Sequence, residues 1–193
     1  EILSGRREYT KLNPCVVLLG KGDHQITSSW MNHDEGYEEA ATLGITCSNV
    51  TFVGTGKDTT TVLGGFAIEN KINITFKQMT VTNTSNSMGI RMSNAKVELM
   101  DVALKGCKNF ALYISETVSE TASETILVAT RCEFANSTYG ASVSGSLTSA
   151  TFKNCLFNEN KRMGIHGSGN ATIHLHGEAT AIHSNERYGI FAH

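Results

Sequence analysis

The sequence predicts an all-β protein, a single chain wound into a right-handed parallel β-helix of about six to eight coils. Three observations lead there. A small residue followed by an apolar one recurs at Gly89-Ile90, Ala111-Leu112, Gly140-Ala141, Gly164-Ile165 and Gly189-Ile190, in steps of 22, 29, 24 and 25 residues. A second marker lies upstream of each: Val81, Leu104, Phe134, Phe157 and Ile182, in steps of 23, 30, 23 and 25. Between the markers fall short polar clusters, TNTSNS, KGCKN, ANST, NENKR and HSNER. Self-similarity at a fixed period of this size is the mark of a solenoid.

The elements follow in order. VVLLGKGDHQI, from Val16 to Ile26, reads as the opening coil: a strand, a glycine turn and a second strand. Thr27–Thr42 breaks the alternation, carries the single Trp and an acidic cluster, and is expected as a side loop or short helix over the first coil. Leu43–Gly65 reads as the next coil. Then come the alternating segments ITFKQMTV, VELMDVAL, LVATRCEF, ATFKNCLF and IHLHGEATAI. Alternation places every second side chain on one face. The extra residues of the long step lie at Ser115–Glu124 and read as a protruding loop. One coil has no core of its own, so neighbouring coils must stack, strand on parallel strand. The handedness preference of parallel connections makes a right-handed winding the expectation. Residues 1–193 form one domain, with the opening coil and side loop over 1–42 and stacked coils over 43–193, read as part of a longer chain. The last unit ends inside a strand pattern, so its end is expected to be covered by further chain or a partner.

Three inward ladders are expected: Met79, Val102, Cys132 and Cys155; Val81, Leu104, Phe134, Phe157 and Ile182; Ile90, Leu112, Ala141, Ile165 and Ile190. In the last ladder's strands Gly164 is expected to allow a tight bend. The outward positions beside that ladder are Arg91, Tyr113, Ser142, His166 and Phe191, next to a row of Met88, Phe110, Tyr139, Met163 and Tyr188. If both rows face solvent they form an aromatic-rich stripe, and exposed apolar patches of this kind mark binding sites. The alternative is that the second row fills a corner. Arg91, Tyr113, Ser142, His166, Phe191, Tyr139 and Tyr188 are therefore the candidate ligand-binding residues.

This repeat resembles the right-handed parallel β-helix of the pectin-lyase-like family, over most of the chain. The resemblance implies the fold and leaves function open, because such scaffolds serve both binding and polysaccharide chemistry. Polygalacturonase-like members cluster several Asp; here Asp23, Asp34, Asp58 and Asp101 are scattered, although MGIHGSG is similar to a Gly-His-Gly element of that group. Lyase-like members need carboxylates and a base; Glu98, Glu133, Arg91 and Arg131 are the nearest set. Epimerase-like members carry Tyr-Gly, an aromatic and Asp-Pro-His; ERYGIFAH has Tyr188, Gly189 and His193 without the Asp-Pro.

With a net charge of −2 and no Lys/Arg block, neither nucleic acid nor a membrane surface is an expected partner. No apolar run reaches the ~18 residues of a membrane span. Five cysteines, Cys15, Cys47, Cys107, Cys132 and Cys155, are an odd number at wide spacings. They suit neither a disulfide framework nor a zinc site and lean towards an intracellular setting with reduced thiols. A Cys132–Cys155 disulfide is the alternative. His174 and His176 share one strand face near His166, but no spaced ligand set completes a metal site, so no metal and no cofactor is expected. Sequons at Asn49, Asn73, Asn83, Asn136 and Asn170 arise easily in Asn- and Thr-rich turns. The sequence thus points to a non-catalytic recognition or scaffold module that binds a glycan or protein on its lateral face. The alternative is an enzyme (lyase, epimerase or hydrolase) acting on glycans that contain uronic acids.

Overall fold

A computed structural model describes residues 9–32, 36–85, 87–116 and 123–193. The described chain is all strand and turn, wound into seven stacked coils with three walls. The first coil holds β1 (Cys15–Leu18), β2 (Gly22–Gln25), the antiparallel pair β3 (Trp30–Asn32) and β4 (Tyr37–Glu39), and β5 (Thr42–Ile45). The second holds β6 (Val50–Val53), β7 (Thr60–Leu63) and β8 (Gly65–Glu69). Then come β9 (Ile74–Thr82) with β10 (Ile90–Ser93), and β11 (Lys96–Lys105) with β12 (Phe110–Ser115). The last three coils are β13 (Thr125–Thr130), β14 (Glu133–Ala135) and β15 (Tyr139–Ser144); β16 (Thr148–Lys153), β17 (Leu156–Asn158) and β18 (Met163–Ser168); β19 (Thr172–His176), β20 (Ala181–His183) and β21 (Tyr188–Ala192).

Every coil pairs in parallel with its neighbours. The first wall runs β1-β6-β9-β11-β13-β16-β19 and the third β21-β18-β15-β12-β10-β8-β5. The expected ladders lie in register: Val81 on Leu104, Leu104 on Phe134, Phe134 on Phe157 and Phe157 on Ile182. Likewise Ile90 meets Leu112, then Ala141, Ile165 and Ile190. In-register stacking puts like rings face to face: Phe134 and Phe157 lie 4.8 Å apart at 10°. Phe52 and Phe76 lie 5.1 Å apart at 7°. Each such fully buried side chain contributes about 1.5–3 kcal/mol.

One feature of the alternating segments was not foreseen. The apolar parity slips by one inside each: Val97 and Leu99 point inward, and then Val102 and Leu104. The slip falls on a single left-handed residue, Asp101, at φ 54°. Gln78, Arg131 and Asn154 do the same at 54°, 54° and 53° in neighbouring coils. That residue turns the chain from the first wall to the second, so strands on both sides of the corner can face the same core. The next corner is held by side chains. Asn160, fully buried, donates to the Phe134 carbonyl at 3.0 Å and to Asn185 Oδ1 at 2.8 Å. Asn73 donates to Asn49 Oδ1 at 2.8 Å at the third corner.

Gly164 has a different role from the one expected. Its φ is not in the left-handed region. A Cβ there would lie 2.8 Å from the Gly189 carbonyl oxygen and 2.9 Å from Asn185 Nδ2. The glycine lets the next coil approach; it does not make a bend. The Thr27–Thr42 segment forms the β3–β4 strand pair, with no helix among its described residues. Part of the Ser115–Glu124 loop lies outside the described residues. All five cysteines are free, and Cys132 and Cys155 stack in the core. No helix among the described residues is long and apolar enough to cross a membrane.

Candidate functional site

The third wall carries the candidate site on its outer face. Parallel pairing aligns three rows of outward residues along the coil axis. Tyr113, Ser142, His166 and Phe191 are successive register partners. Phe110, Tyr139, Met163 and Tyr188 form the second row. Ser115, Ser144 and Ser168 form a third row that was not among the expected site residues. Its signal was present in the chain, since Ser144 and Ser168 keep the same offset from Ser142 and His166. Rungs of a parallel sheet repeat about every 4.8 Å, so these rows are closely spaced ladders.

Together they shape a shallow trough of about 200 Å³, lined by Phe110, Tyr113, Tyr139, Ser142, Met163 and His166, with Ser144 and Ser168 on its far side. Phe110 stacks on Tyr139 at 4.6 Å and 17°, and Phe110 meets Tyr113 at 5.2 Å. His166 stacks on Phe191 at 6.0 Å and 14°. Arg162, on the turn before β18, donates to the Tyr139 hydroxyl at 2.5 Å and covers its ring. Ser142 Oγ and His166 Nδ1 share a hydrogen bond of 3.2 Å, and Ser168 donates to Ser144 Oγ at 3.0 Å. Tyr188, at the outer end, is 50% exposed. Partial burial, and then the neighbouring His193, hold the His166 imidazole below its usual range, which favours its uncharged form. Among the described residues no Asp or Glu lines the trough.

Arg91 shares the row but not the surface. Although it pairs in register with Tyr113, it is 3% exposed, and Ser142, further along the row, is also only 3% exposed. The β3–β4 pair lies over it: Glu39 accepts from Arg91 at 3.4 Å, and the guanidinium sits 5.6 Å from the Trp30 ring and 5.7 Å from the Tyr113 ring. Glu39 also accepts from Ser87 at 2.7 Å. The lyase-like set does not converge either. Arg131 makes a two-pronged pair with Asp101 at 2.7 Å, Glu133 faces Lys105, and Glu98 lies on the first wall.

A larger depression of about 390 Å³ lies on the first wall, edged by Lys11, Lys96, Glu98 and Val128. Its described residues present one carboxylate and no aromatic ring, and so neither a stacking platform nor an acid–base pair. His174 and His176 stack at 5.9 Å on that wall. Among the described residues no group of three or more His, Cys, Asp or Glu could hold a metal ion.

What the trough can do follows from its parts. Flat rings present π-faces to apolar or C–H surfaces. Serine hydroxyls donate and accept. Glycoside hydrolysis needs two carboxyl groups flanking the bond, and the described residues of the lining supply none.

No family model and no curated protein matches the chain. Among solved structures it is similar to ORF18 of Geobacillus virus E2, with a TM-score of 0.60 and 14% identity. The match covers 88% of this chain and 32% of that one, so this chain spans about a third of that protein's length. At this identity the likeness speaks for the fold alone.

Proposed function

We propose that the outer face of the third wall is a glycan-recognition surface and that the chain works by binding rather than turnover. The observation that carries this reading is the pairing of an aromatic row with a serine row along one trough with no carboxylate among the described residues that line it. Tyr113, Tyr139, His166 and Phe191 would stack on sugar faces. Ser144 and Ser168 would bond ring hydroxyls, the buried Ser142 would hold the His166 ring through its hydrogen bond, and Arg162 would sit at the rim. Arg91 would act from beneath, by holding Tyr113.

One observation favours a second reading, that of a polysaccharide-active enzyme of the pectin-lyase-like kind. Ser142 Oγ and His166 Nδ1 share a hydrogen bond of 3.2 Å, the arrangement in which an uncharged imidazole can take a hydroxyl proton. Among the described residues no carboxylate in the lining orients the imidazole, which weighs against it.

A glycan array, run beside an activity screen on uronic-acid polymers, separates the two. Retention of a glycan without turnover is the expected result. Turnover of any polymer would overturn the binding reading. Silence in both assays would favour a scaffold that uses this face for a protein.

A further inference from the structure

We infer that the trough receives the end of a glycan chain and does not bind along its interior. This rests on the glycan-recognition reading and adds a direction and a stop to it. Both boundary rows, Phe110-Tyr139-Met163-Tyr188 and Ser115-Ser144-Ser168, run along the coil axis. A ligand lying between them therefore crosses the strands and climbs from rung to rung.

At one end the path is closed. From β5 to β10 the same wall is covered by the β3–β4 pair. A Cβ on Gly44 of β5 would meet the Trp30 indole, and Arg91 of β10 is buried beneath the same ring. Ser87 and Ser85 tie this layer down through Glu39 and the Ala40 carbonyl, the latter at 3.1 Å. Trp30, Arg91 and Tyr113 stand in sequence as ring, guanidinium and ring. The exposed face thus starts at a step, with Tyr113 as its riser. Beyond Tyr113 the register runs through the buried Ser142 to His166, Phe191 and Tyr188, which are partly exposed, and among the described residues no second layer of strands lies over them. Three rungs span about 14 Å, enough for a few sugar units. A chain laid in the trough must stop at the step, because continuing would take it through the Trp30 layer.

The test counts binding sites per polymer. Linear oligosaccharides of increasing length, from β-1,4-glucan and from a uronic-acid polymer, are titrated calorimetrically together with their parent polymers. Affinity should rise with length and level off after a few units. Each polymer molecule should take up the same small number of proteins however long it is. A number bound that grows in proportion to polymer length overturns end recognition while leaving glycan binding intact. Absence of binding by every oligosaccharide and polymer overturns the glycan reading and this inference with it. Trp30→Ala, with its fold checked by circular dichroism, should lower the step and let the number bound grow with length. If a folded Trp30→Ala still binds only ends, the hairpin is not the stop. Should Trp30→Ala fail to fold, the wild-type count decides alone.

Discussion

Gly89→Ala tests why glycine recurs at the markers. An added Cβ would lie 2.5 Å from the Ala111 carbonyl oxygen of the next coil and 2.9 Å from Cys107 Sγ. The first is backbone, hydrogen-bonded within a parallel wall: the Gly89 amide itself donates to the Phe110 carbonyl at 3.0 Å. Restoring an ordinary separation means lifting one coil from the next by the better part of an ångström. Overpacking of this sort costs about 1–3 kcal/mol, and the backbone contact places Gly89→Ala at the upper end. For a chain of this size each kcal/mol lowers the unfolding midpoint by roughly 2–4 °C, so a fall of about 5–10 °C is expected in a thermal scan. Gly20→Ala is the control, because no described atom lies within 4 Å of its added Cβ and its φ is not left-handed. It should stay within about 0.5 kcal/mol of the parent. A Gly89→Ala protein that melts with Gly20→Ala would refute close approach as the reason for these glycines.

Three further outcomes are expected. The folded state holds His166 below the unfolded value of about 6.5, burial first and His193 second. Its contribution to stability is therefore complete above that value and declines as pH falls through it. Midpoints of the parent should drop over this range more than those of His166→Gln, and an NMR titration of His166 at or above 6.5 would contradict this. Among the thiols, burial pushes Cys107 up to about 11, and a hydrogen bond with Cys155, then burial, push Cys132 up. The same hydrogen bond lowers Cys155, but all three are closed off from solvent, so a disulfide reagent should label the half-buried Cys15 and Cys47 in the native protein and Cys107, Cys132 and Cys155 only after denaturant is added. The Arg131 hydrogen bond, the largest cause, holds the Asp101 carboxyl below its usual range. That stabilisation exists above about pH 4 and fades as pH falls through the lowered value. Because the pair is solvent-exposed, Asp101→Asn should cost little at pH 7, and double-mutant cycles with Arg131→Gln measure it.

The ladders were legible because burial selects residue type rung by rung, and one period carries all of them. Val81, Leu104, Phe134, Phe157 and Ile182 needed only spacing to be aligned. The left-handed corners were not legible. Gln78, Asp101, Arg131 and Asn154 share a backbone conformation without sharing chemistry. The burial of Arg91 was hidden for another reason. Its cover comes from Trp30 and Glu39, about 60 and 50 residues upstream and outside the repeat, so no periodic signal connects them. The alignment of Tyr113, Ser142, His166 and Phe191 was readable in the sequence. The serine row beside it keeps the same interval and went unread because serine is common in turns.

Hydrogen–deuterium exchange with a bound array glycan tests the central claim most directly. The proposal predicts slowed exchange in β12, β15 and β18, at residues 110–115, 139–144 and 163–168, and its loss in Tyr139→Ala. Protection confined to the first wall around Glu98, or protection that survives Tyr139→Ala unchanged, would contradict it.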